Sequence, residues 1–96
     1  MHVISKKRLR EFWAARPDAE APLRAWYQAA RHEEWQTFAD VRARFPHADQ
    51  VGKLTVFNIG GNKYRLIAAV HFNRGKVYVR HVLTHAEYDR GDWKEE

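Results

Sequence analysis

Two short turns set the fold of the second half of this chain. Gly60-Gly61-Asn62 and Asn73-Arg74-Gly75 are built from residues that tolerate positive φ, and each separates two runs rich in β-branched and aromatic side chains. The runs are Leu54–Ile59, residues 64–72 and Lys76–Thr84. Turns this tight join adjacent antiparallel strands, so the sequence predicts a three-stranded meander over residues 54–84. The same span has an unusual charge pattern. No Asp or Glu lies between Gln50 and Ala86, whereas Lys53, Lys63, Arg65, Arg74, Lys76 and Arg80 do, with His71, His81 and His85 among them. The chain has 17 Lys and Arg against 12 Asp and Glu. Residues 1–52 are near balance at 9 basic and 7 acidic, so the excess positive charge belongs to the strands. A sheet whose charged positions are all basic suits a polyanion, and RNA or DNA is the first partner to consider.

The first half reads as helices. His2-Val3-Ile4 is a short edge strand, and Ser5 is placed to cap the helix that follows with its hydroxyl. Leu9, Phe12 and Trp13 share one helical face until Pro17 ends it. Asp18 is the expected N-cap of a second helix, whose stripe is Leu23, Trp26, Tyr27 and Ala30. Thr37 caps a third, with Phe38, Val41 and Phe45 on one face before Pro46. A short last helix opens at Thr84 or His85 and runs through Tyr88. The predicted fold is α+β in a single domain over residues 1–96: N-terminal helices on one face of a small antiparallel sheet (a β-meander), then a short C-terminal helix.

The chain contains no cysteine, which removes disulfides, thiolate nucleophiles and Cys-based zinc sites. No apolar run approaches membrane-spanning length and no signal peptide is visible, so a cytoplasmic protein with no membrane partner is expected.

Strand alternation says which side chains meet. Tyr64, Leu66, Ala68, Val70 and Phe72 share one face; Arg65, Ile67, Ala69 and His71 share the other. In the third run, strict alternation puts Tyr78, Arg80, Val82 and Thr84 opposite Val77, Val79, His81 and Leu83. Arg65 and Arg80 are then embedded among apolar neighbours, in strands that offer no carboxylate, and phosphate is one candidate partner. Tyr64 and Tyr78 read as core aromatics, and His71 and His81 as packing or surface residues. His81, His85, Tyr88 and Asp89 gather at the end of the third run, with His85 and Tyr88 three apart on a helical turn. Histidine titrates near neutrality, tyrosine can donate a proton and arginine can neutralise charge growing on phosphorus. Such a set suits RNA cleavage by a ribose 2′-OH without a metal or other cofactor. A metal site from His81, His85 and Asp89 has no familiar ligand spacing. The alternative is a non-catalytic RNA- or ribosome-binding module, for which the basic sheet alone suffices.

One stretch carries a family likeness. Val56-Phe57-Asn58-Ile59-Gly60-Gly61-Asn62-Lys63-Tyr64-Arg65-Leu66, then Tyr78-Val79-Arg80 and Thr84-His85-Ala86-Glu87-Tyr88-Asp89, resembles the HigB toxins of the RelE-like superfamily, and the similarity extends to nearly the whole chain. The resemblance implies the toxin of a type II toxin–antitoxin pair, an mRNA endoribonuclease acting on the translating ribosome. It also implies a HigA-like helix-turn-helix antitoxin, with operator DNA bound only through that antitoxin. Carried over by position, Arg65 and Arg80 would hold the scissile phosphate, and His85 and Tyr88 would do acid/base work or position the substrate. Lys53, Asn58, Lys63, Arg74 and Lys76 would contact RNA.

Overall fold

The computed structural model describes residues 1–95, which form five strands and four α-helices. In chain order these are β1 (His2–Ile4), α1 (Lys6–Ala15), α2 (Glu20–His32), α3 (Phe38–Arg44), β2 (Asp49–Val51), β3 (Leu54–Ile59), β4 (Tyr64–His71), β5 (Lys76–Thr84) and α4 (His85–Arg90). Two 3-10 turns, Pro17–Ala19 and Asp92–Glu95, complete it. The sheet order is β1-β5-β4-β3-β2. The meander β3-β4-β5 is as predicted, but β1 lies parallel to β5, so the sheet is mixed rather than wholly antiparallel. Neither β2 nor the pairing of β1 has a local signal. Both are three-residue strands, and only tertiary contact specifies them.

The helices cover one face. Leu9 of α1, Leu23, Trp26 and Ala30 of α2 and Val41 of α3 meet Phe57, Leu66, Ala68, Val77 and Val79 of the sheet in one buried cluster. Phe57 sits at its centre, with ring centroids 5.3 Å from both Trp26 and Phe45. The opposite face carries a smaller cluster of Val56, Ile67 and Trp93, with Leu54, Leu83 and Tyr88 against it. Trp93, in the C-terminal 3-10 turn, is only 4% exposed. It thus caps one end of the second face, a role that no periodicity announces.

Four helix starts test the capping expectations. Thr37 and Thr84 both form full capping boxes, with Asp40 and Glu87 respectively. Ser5 stands at the start of α1, but in a left-handed conformation (φ 80°) and without a side-chain cap. Its φ makes the sharp corner from β1 into α1 instead. Asp18 is not the cap of α2, because Pro17–Ala19 forms a 3-10 turn and the helix begins at Glu20. Its carboxylate reaches across to the β3–β4 turn, accepting hydrogen bonds from Lys63 Nζ and, at 2.7 Å, from the Tyr64 hydroxyl. At that turn Gly60 and Gly61 have φ of 61° and 68°, which any side chain would strain.

Strict alternation fails in β5. Ile67 pairs with His81 and Ala68 with Val79, so Arg80 is an extra residue with no cross-strand partner. The bulge resets the faces. Val77 and Val79 before it and Val82 after it pack toward the helices, whereas Leu83 joins the second cluster. Tyr78 does not share a face with Val82 and Thr84. Nor is Arg80 embedded among apolar neighbours; it is exposed.

Candidate functional site

The register places four rows of side chains across the face away from the helices. His2, Lys76 and His71 form the first; Ile4, Tyr78 and Ala69 the second; His81, Ile67 and Val56 the third; Leu83, Arg65 and Asn58 the fourth. α4 and Trp93 lie over the third and fourth rows, and the expected site residues gather there.

Arg65 is the anchor of that end. It is 9% exposed, buried for a cation. Its Nη1 donates to the carbonyl oxygens of Asn62 and Tyr64, both at 3.2 Å, and its Nη2 donates to Asn62 Oδ1. The guanidinium carbon lies 5.3 Å from the centroid of the Tyr88 ring, a cation–π distance. Tyr88 is stacked in turn on Trp93, with centroids 5.2 Å apart and planes at 13°. Every partner of Arg65 among the described residues is neutral. The fold thus holds this positive charge in place with no carboxylate among its described partners.

His85 opens α4, and its Nδ1 lies 3.0 Å from Asp89 Oδ2, one helical turn on. The carboxylate orients the imidazole and favours the Nδ1–H tautomer, which leaves Nε2 as the acceptor. The imidazole is about half exposed, at 48% of its side chain. Sequence reasoning paired His85 with Tyr88, but the structure pairs it with Asp89. The i,i+4 spacing was the available signal for this contact. The Thr84–Glu87 capping box fixes where α4 begins. Glu87 Oε1 accepts from the Thr84 amide at 2.9 Å, and this bond holds the Glu87 carboxyl below the usual carboxylate range.

Arg80 projects from the bulge, and its carbonyl accepts from Arg8 Nη1 of α1 at 2.8 Å. A cleft of about 320 Å³ opens beside it, lined by Arg8, Glu11, Phe12, Ala15, Arg16, His81 and Val82. Asn58 is half-buried beside Arg65 in the fourth row. Lys53 lies in the exposed β2–β3 turn and Arg74 in the exposed β4–β5 turn. Lys76 is half-buried in the first row, at the far end from α4. Lys63 is drawn to the helix side by its ion pair with Asp18, which raises the Lys63 pKa and, by the same hydrogen bond, lowers that of Asp18. The structure therefore brings Arg65, Asn58, His85 and Tyr88 to one end of the sheet, with Arg80 nearby on β5. Lys53, Lys63, Arg74 and Lys76 are spread around the periphery. Among the described residues no three His, Asp or Glu side chains come together in a metal-binding arrangement. None of the described helices is long and apolar enough to cross a membrane.

The family described as HigB_toxin, RelE-like toxic component of a toxin-antitoxin system, matches residues 19–91, a span holding every candidate site residue. The mRNA interferase HigB of Escherichia coli O6:H1 is 32% identical over 93 residues, covering 94% of this chain and 90% of that protein. The mRNA interferase toxin HigB of Escherichia coli K12 is 35% identical over 92 residues, covering 93% and 88%. With a match across most of its length and its charged sheet face inside the matched span, this chain belongs to the HigB toxin family, the RelE-like toxic components of toxin–antitoxin systems.

Proposed function

We propose that this chain is an mRNA endoribonuclease, the toxin of a type II pair, and that it cuts RNA by attack of the ribose 2′-OH on the adjacent phosphorus. The observation that carries this reading is Arg65: a buried guanidinium with only neutral partners among the described residues, on the sheet face that α4 overhangs with His85 and Tyr88. The scissile phosphate supplies the missing negative charge. His85 Nε2, with Nδ1 held by Asp89, takes the 2′-OH proton as the new O2′–P bond forms. Arg65 stabilises the charge that builds on the phosphoryl oxygens, and Arg80 adds a second cation from the bulge. The P–O5′ bond breaks and the leaving oxygen takes up a proton, for which the Tyr88 hydroxyl is a titratable donor on the same helix. The products are a 2′,3′-cyclic phosphate and a 5′-hydroxyl. Tyr88 also holds Arg65 against its ring, so it serves in position as well as in chemistry.

The substrate reading follows the names of the E. coli relatives, both mRNA interferases. Cutting on the ribosome, with Lys53, Asn58, Lys63, Arg74 and Lys76 touching RNA, and inhibition by a HigA-like helix-turn-helix antitoxin complete the proposal. For Lys63 to reach phosphate, its pair with Asp18 must open. The test is induced expression with 5′-end mapping of cellular mRNA, wild type beside His85→Gln. Removing a general base is expected to lower cleavage by about 10²–10⁴-fold. Wild-type cleavage with a fully active His85→Gln would refute the assignment of the base.

A further inference from the structure

We propose that the uncovered end of the same sheet face, built around Tyr78, is a second RNA-contact site on which an unpaired base of the substrate stacks. The inference rests on the mRNA-cleaving reading and adds a binding site that does no chemistry. Tyr78 faces away from the helices because its neighbours Val77 and Val79 are in the helix-side core. It belongs to neither apolar cluster and is only half-buried. The His71 ring meets it at 4.9 Å between centroids with planes at 76°, an edge contact that fixes how the Tyr78 ring lies.

The surroundings suit a nucleic-acid strand better than a protein core. Lys76 and His2 share a row with His71, and Arg74 stands in the adjoining turn. Neither β4 nor β5 contains a carboxylate. An aromatic ring beside fixed and titratable cations, on an open sheet, is the combination that holds single-stranded RNA: the ring takes a base and the cations track the backbone. Tyr78 pairs with Ala69, four residues from Arg65 along β4, a separation of about 13 Å at ~3.3 Å per residue. A short single-stranded segment can span that gap, so one substrate would touch both ends of the face. The third row, His81 and Ile67, lies between under the cover of Trp93, so the segment passes over that cover rather than along the sheet.

The test is single-turnover cleavage of a ribosome-bound mRNA against toxin concentration, for the wild type, Tyr78→Ala, Tyr78→Leu and Tyr78→Phe, each checked for an unchanged melting profile. Loss of one stacked base is expected to raise the half-saturating concentration roughly 5- to 150-fold while the maximal rate is kept. Tyr78→Leu should match Tyr78→Ala, because it keeps apolar bulk without a π face, and Tyr78→Phe should match the wild type. A Leu variant equal to the Phe variant would overturn stacking, and it answers the question even if the Ala variant fails to fold. An unshifted half-saturation in both Tyr78→Ala and Tyr78→Leu would overturn the site. So would a weakened grip on the antitoxin with RNA cleavage untouched, which would make this a protein-binding surface. A wild-type protein that cuts no RNA would overturn the nuclease reading, and this proposal with it.

Discussion

The two faces of one sheet are made by the same strands and do opposite work. The helix-side face is dry and uncharged: Phe57, Leu66, Ala68 and Val77 are fully covered by α1, α2 and α3. Among the described residues the other face is covered at one end only, by α4 and Trp93, and it keeps Arg65, His71, Tyr78 and His81 along its rows. Alternation gives every strand two faces, so coverage decides which becomes core and which becomes a site. The bulge at Arg80 marks the border. It shifts β5 by one residue, so that Val82 stays with the helices and an arginine is released to the surface.

This contrast can be broken most severely from the dry side. Phe57→Ala removes the ring that Trp26, Trp35 and Phe45 all pack on, and should cost about 3–5 kcal/mol of stability, read by urea or thermal unfolding. That is a large part of the whole stability of a small domain. A loss under ~1 kcal/mol would mean the aromatic cluster is not the structural centre. On the open side the loss should fall on activity. Arg65→Met should cut cleavage about 10²–10³-fold while unfolding changes little, because the variant exchanges a costly buried charge for apolar bulk. A variant that unfolds with its activity would make Arg65 a structural residue.

A smaller effect links the faces. Thr84→Ala removes the cap of α4 and should cost about 1 kcal/mol. It should also loosen the His85–Asp89 pair, so cleavage should fall more than stability alone predicts. Equal, small changes in both would mean α4 is held by Trp93 rather than by its cap. The smallest effect concerns pH. The Asp18 carboxyl is lowered chiefly by its hydrogen bond from Lys63 and then by that from Tyr64. A carboxyl depressed in the folded state stabilises above its unfolded pKa of about 4, and that contribution is lost as pH falls through the folded value. The wild type should therefore lose slightly more stability than Asp18→Asn on acidification below about pH 4. Parallel acid titrations of the two proteins would exclude the link.

Much of this arrangement was legible in the residues. The Gly60-Gly61-Asn62 and Asn73-Arg74-Gly75 turns fixed the meander because a four-residue connection leaves the chain no other path. Thr37 and Thr84 announced their helices because both partners of each capping box are local. What escaped was decided at long range. The parallel docking of β1 beside β5 and the pairing of β2 rest on three residues each. Asp18 looked like a cap and became the acceptor of Lys63 and Tyr64, 45 and 46 residues on. The bulge escaped for a similar reason: alternation in β5 reads as unbroken, and only the pairing with Ile67 and Ala68 reveals the extra Arg80. Within the candidate site, Arg65, His85 and Tyr88 were named from residue type. The Asp89 partner of His85 had its i,i+4 spacing as a signal, whereas the neutral shell of Arg65 is set by the fold around it.

The central claim is that the open face cuts RNA through its own ribose, with Arg65 as the fixed charge. The most direct measurement is the chemistry of the new RNA ends made by wild-type protein on translated mRNA, beside Arg65→Met shown to be folded. Upstream fragments ending in a 2′,3′-cyclic phosphate, downstream fragments beginning with a 5′-hydroxyl, and the loss of both in the variant are the predicted result. Ends bearing 5′-phosphate and 3′-hydroxyl, or unchanged cutting by the variant, would contradict it.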